Sequence, residues 1–121
     1  MNKRIKKLWV KALRSGEYKQ TTGRLRRNRG KNQASFCCLG VLCNLHAQAH
    51  PEIAAAQTDK RLYMGKSELP PEEVMLWAGI EGTDPVVVIG RGLYEHPVRL
   101  STLNDSGHSF EEIAELIERQ L

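Results

Sequence analysis

The chain predicts an α+β domain that is mainly helical, with a central buried helix and a small antiparallel sheet. Three observations carry that expectation. Apolar residues recur at helical spacing near both ends, residues 36–45 are apolar almost all round a helix, and Pro85–Ile89 is a compact run of β-branched residues. A length of 121 residues suits one domain, 1–121, with one modest core.

The first helix is expected from Lys3 to Arg14. Ile5, Leu8, Trp9, Ala12 and Leu13 share a spacing, and Ser15-Gly16 ends it. Glu17–Gln20 and Arg24–Arg26 read as the arms of a hairpin turning at Thr22-Gly23, and residues 28–33 as a polar, mobile loop. Ser35 is a suitable N-cap for the central helix, Phe36 to Ala49, stopped by His50-Pro51. Gly40 in its middle costs about 1 kcal/mol against alanine, which implies another backbone packed close by.

Residues 51–67 read as an alanine-rich turn and then a short strand at Leu62-Tyr63-Met64. Leu69-Pro70-Pro71-Glu72 opens a helix that carries Val74, Leu76 and Trp77, and Gly79 closes it. Pro85–Ile89 is a strand, with Leu93-Tyr94 as its returning partner. Ser101–Asp105 forms a single capped turn. Ser109-Phe-Glu-Glu112 is a capping box for the last helix, whose buried stripe is Phe110, Ile113, Ala114, Leu116 and Ile117.

Composition excludes several classes. No apolar run approaches the roughly 18 residues of a membrane span, so no membrane partner is expected. The basic start has no long apolar stretch behind it, which argues against a secretory signal. Three cysteines, two of them adjacent, make no disulfide framework, and a reduced, cytoplasmic setting is expected. Net charge is +4, but residues 1–31 carry twelve Lys or Arg and one acid, whereas residues 32–121 carry six and thirteen. That asymmetry either seeks an anionic partner or lets the basic quarter fold against the acidic remainder.

Four chemistries compete for the polar residues. Cys43, His46 and His50 share a helical face, but a structural zinc site takes four ligands from separated elements, so neither metal nor cofactor is expected. Cys37 and Cys38 sit near a helix start, which favours a thiolate, yet Phe36 and Leu39 bury them. A cysteine-dependent enzyme is therefore a distant alternative, and no catalytic residue is assigned. The acidic C-terminal helix is followed by no recognition helix, which removes a helix-turn-helix there. Gly90-Arg91-Gly92 lacks the full phosphate-loop pattern and reads as a tight turn.

The basic stretch Arg24, Arg26, Arg27, Arg29 and Lys31 is the better candidate. Arginines fork onto phosphate, while nearby Trp9, Tyr18 and Gln20 suit stacking on and reading a base.

The motifs Trp9-x-x-Ala-Leu-Arg-Ser-Gly16, Tyr18-x-Gln20, Gly23-x-Leu25 and Phe36-Cys-Cys-Leu-Gly-Val-Leu-Cys43 occur in order. Leu69-Pro70, Trp77-x-Gly79, Leu103-Asn104-Asp105 and Ser109-Phe-x-x-Ile113-Ala114 follow. Together they resemble a widespread family of small phage and prophage proteins of largely uncharacterised function. Asn44 stands where that family commonly has aspartate, and Thr21-Thr22 where glycine is frequent. The resemblance implies a phage accessory role in the bacterial cytoplasm and adds Asn104 and Asp105 to the candidates.

The expected function is a non-enzymatic, counter-defence binding protein for an anionic nucleotide-like ligand or a host protein. Its expected ligand-binding set is Trp9, Tyr18, Gln20, Arg24, Arg26, Arg27, Asn104 and Asp105. The alternative is an RNA- or DNA-binding protein that uses Lys3 to Lys31. A second copy of the chain is the expected cover for so apolar a helix.

Overall fold

The computed structural model describes residues 1–30 and 33–121, so the centre of the loop expected at 28–33, with Lys31, lies outside the described residues. Helix α1 spans Lys3–Arg14. Asn2 caps it, its side chain accepting a hydrogen bond from the Ile5 backbone amide at 3.0 Å. Val10 joins Ile5, Trp9 and Leu13 in the buried stripe, whereas Leu8 is exposed. This stripe packs along α6 (Phe110–Gln120), whose capping box at Ser109 and Glu112 forms in both directions. Arg14 lies between these helices and reaches Glu111, Glu115 and Glu118, each at 3.1 Å. Part of the basic quarter thus folds against the acidic remainder.

The central helix α2 runs Cys38–Ala49, two residues shorter at its start than expected. Cys37, not Ser35, is its N-cap, the Sγ accepting from the Gly40 amide at 3.3 Å. Ser35 belongs instead to a strand. Elements α1, α3 (Pro51–Ala56), α4 (Glu72–Ala78) and α5 (Leu100–Asp105) surround α2. Seven of its residues, Cys38–Cys43 and His46, are buried within the chain itself. Trp9 is fully buried against it and donates from Nε1 to the Cys38 carbonyl at 2.9 Å.

The three-stranded sheet corrects the expected hairpin. Strand β1 (Lys19–Gln20) pairs in parallel with β3 (Ala34–Phe36), and β2 (Arg26–Asn28) pairs with β3 antiparallel. The sheet is therefore mixed, in the order β1-β3-β2. Strand β3 lies between β1 and β2 and pairs with both, which keeps those two apart. The Leu25 carbonyl lies against α2, where a Cβ on Gly40 would sit 1.8 Å from it. Glycine is the residue that permits this approach.

The second sheet is an antiparallel pair, β4 (Val86–Ile89) with β5 (His96–Arg99). Leu93-Tyr94, expected as the returning strand, falls in a 3-10 turn between them, and pairing resumes two residues later. Residues 51–67 are corrected too. The alanine-rich segment is helix α3, and Tyr63 forms only an isolated bridge with Lys66. Gly79 closes α4 at φ 71°, in the left-handed conformation the sequence suggested. No helix among the described residues is long and apolar enough to cross a membrane.

Candidate functional site

Two clusters of polar side chains emerge, and the candidate residues divide between them. The first surrounds Asn104, which is completely buried at the end of α5. Its Oδ1 accepts from the Cys38 backbone amide at 3.1 Å and from Gln20 Nε2 at 2.9 Å. Its Nδ2 donates to the Thr21 carbonyl at 2.8 Å and to Asp105 Oδ1 at 3.1 Å. Two acceptor and two donor positions exhaust what an amide offers. Gln20 donates its second proton to the His108 carbonyl at 2.8 Å, and Asp105 Oδ1 also accepts from the Gly23 amide at 2.9 Å. This node ties the start of α2, the β1–β2 connection and α5 together.

The second cluster lines an open cleft with a cavity volume of about 250 Å³. One wall is a single face of α2. Gly40, Cys43, Asn44 and Ala47 lie at i, i+3, i+4 and i+7 and all border the space. Arg26 and Phe36 enter from the sheet. Gln57, Lys60, Arg61 and Tyr63 enter from the segment after α3. The Arg26 guanidinium carbon lies 5.4 Å from the Phe36 ring centroid, and its Nε donates to Asn28 at 2.9 Å. Arg61 forks onto Asp59, at 3.1 Å from Nε and 3.0 Å from Nη2. That hydrogen-bonded fork holds the Asp59 carboxyl below its ordinary range, with a smaller contribution from the nearby Arg24 charge.

Tyr18 supports the cleft from behind. Its hydroxyl accepts from Asn44 Nδ2 at 2.6 Å, and its ring meets Phe36 edge-on at 5.2 Å. Of the expected ligand set, then, Arg26 lines the cleft and Tyr18 orients a lining residue. Trp9 faces the core, while Gln20, Asn104 and Asp105 build the node. Arg24 is half-buried, and Arg27 is exposed and donates twice to the Thr22 carbonyl, at 3.2 and 3.1 Å.

Sequence reasoning missed Gln57, Lys60, Arg61 and Tyr63. A Lys-Arg pair two residues before an aromatic was the available signal, hidden because residues 51–67 showed no clean period.

Burial governs the titratable groups around α2. It pushes the Cys37 thiol up to about 11 and raises Cys38 and Cys43 as well, which disfavours thiolates near neutral pH. Tyr63 is pushed up to about 12, chiefly by burial, and its hydroxyl meets His46 Nδ1 at 2.6 Å. His46 is lowered by burial and then by His50, whose ring stacks on it at 4.1 Å. Among the described residues no three His, Cys, Asp or Glu side chains gather as around a metal ion.

The fold and cleft together define a small single-domain α+β protein with a cation-rimmed pocket on a buried helix. The chain belongs to the family described as "Domain of unknown function (DUF8296)", whose match covers residues 1–121. No curated protein and no solved structure matches it.

Proposed function

We propose that this protein is a non-enzymatic binding protein whose α2 cleft holds an anionic, nucleotide-like ligand. One observation carries the reading: three cations, two amides and aromatic walls border one cavity of about 250 Å³. Arg26, Lys60 and Arg61 supply positive charge for phosphate. Phe36 and Tyr63 supply ring faces or edges for a base, and Asn44 and Gln57 supply polar atoms to read it. Buried cysteines with raised pKa values support binding without nucleophilic turnover. The phage accessory role suits such a protein, because sequestering a host signalling nucleotide needs affinity and no reaction. A host defence protein docking at the same rim is the protein-partner form of this proposal.

Thermal unfolding with cyclic dinucleotides, cyclic ADP-ribose isomers and mononucleotides tests the small-ligand form. A ligand at a hundred times its Kd stabilises the folded state by about 2.7 kcal/mol. If none of these compounds raises Tm, the small-ligand proposal fails.

A second reading rests on a shallow groove along α1, bordered by Lys3, Lys6, Lys7, Lys11 and Arg14. Nucleic acid on this face would bind with log K falling against log salt at a slope of about −0.9 per duplex phosphate neutralised. Lys6 and Arg14 already reach toward Glu118 of α6, which leaves this reading second. Binding to single-stranded RNA and duplex DNA that is absent, or insensitive to salt, removes it.

A further inference from the structure

We infer that the α2 cleft takes a ligand with one base and one phosphate monoester: a nucleoside monophosphate. The inference rests on the nucleotide-binding reading above and narrows its ligand class. Size is the first argument. Pockets that enclose drug-sized ligands span about 300–1,000 Å³, and this cleft, at about 250 Å³, lies below that range. It has room for one ring system against its aromatic walls, so the second base of a dinucleotide would remain in solvent.

Charge is the second argument. Of the three cations at the rim, Arg61 is already matched by the Asp59 carboxylate through two hydrogen bonds. Among the described residues, Arg26 and Lys60 form no ion pair. Two uncompensated positive charges match a phosphate monoester, which carries about −1.5 to −2 at pH 7. A di- or triphosphate would bring charges that the rim does not neutralise.

The polar atoms left over are the third argument. Asn44 donates to Tyr18, which leaves its Oδ1 as an acceptor. Gln57 Oε1 accepts from the Met64 amide at 3.2 Å, which leaves its Nε2 as a donor. The Asn44 oxygen, beside the amide protons that Asn44 and Gln57 leave free, is the equipment for reading a single base edge.

Titration calorimetry with the full chain tests this, using the four common 5′-monophosphates, the matching nucleosides and triphosphates, 3′,5′-cyclic AMP and GMP, cyclic dinucleotides and inorganic phosphate. Expected is binding of at least one 5′-monophosphate, at least tenfold tighter than its nucleoside and within about threefold of its triphosphate. Arg26→Gln and Lys60→Gln should each weaken it about tenfold or more, while Arg119→Gln, on α6 and outside the cleft lining, leaves it unchanged. A cyclic dinucleotide binding tenfold tighter than every mononucleotide overturns the single-base inference and leaves the nucleotide-binding proposal standing. Inorganic phosphate binding as tightly as the mononucleotides overturns the base-reading part. Binding by none of these probes sinks the proposal on which the inference rests.

Discussion

The Asn104 node and the α2 cleft are built from similar residues, yet they use them in opposite ways. Both contain amides, charged groups and a side chain or two from the strands of one small sheet: Gln20 in the node, Arg26 and Phe36 in the cleft. In the node every polar atom of Asn104 is spent on a protein partner, and the side chain is fully buried. In the cleft, Asn44 Oδ1 and Gln57 Nε2 are unspent among the described residues, and Arg26 and Lys60 lack counter-ions there. A buried polar group must be satisfied internally because water cannot reach it, whereas a group beside open space can wait for a ligand. The same amino-acid types therefore signal architecture in one place and recognition in the other.

The sharpest way to break this contrast is to remove the node. Asn104→Ala strands the Cys38 amide and the Thr21 carbonyl, and should cost about 3 kcal/mol or more in urea unfolding. A loss below about 1 kcal/mol would mean that the node is not structural. Next comes the point where the two regions share a wall. Gly40→Ala drives a Cβ to 1.8 Å from the Leu25 carbonyl, so about 2–3 kcal/mol is expected as strand and helix separate. An unchanged Tm would show that the strand yields freely.

A smaller effect lies behind the cleft, at His46. Its folded pKa is lowered, by burial first and then by His50, with Glu73 and Glu52 opposing. The unfolded chain then binds a proton more readily than the folded one. Stability should be complete above the ordinary histidine pKa of about 6.5 and fall as pH drops below it. His46→Gln should flatten that slope, and a wild-type curve that is level from pH 7.5 to 5 contradicts the assignment. The smallest change in stability is expected at the rim. Arg26→Ala should move folding by no more than about 0.5 kcal/mol, because its bonds are exposed. A large loss there would make the rim structural as well.

Much of the helical scaffold was legible from local pattern. The bounds of α1, the end of α2, the glycine stop after α4 and the Ser109 capping box all follow from periodicity and capping chemistry. The sheet was not. Three short strands with one parallel pairing leave no alternation to read, and the local sequence around Thr22-Gly23 imitates a hairpin. The cleft was legible in part. Arg26 stood out by charge and Tyr18 by motif, but Lys60 and Arg61 lie in a segment whose sequence gave no period.

The densest apolar segment, residues 36–45, illustrates where that boundary falls. Sequence alone determined that most of it, from Cys38 on, forms a core helix with a glycine needing a close neighbour, because composition and spacing are local properties of the chain. Only the tertiary structure decided that one face of this helix, at Gly40, Cys43, Asn44 and Ala47, borders open space. It also decided that Gln20 and Asn104, 84 residues apart, satisfy each other. Which polar group is left without a partner depends on every other element that packs nearby, and short-range pattern does not encode that.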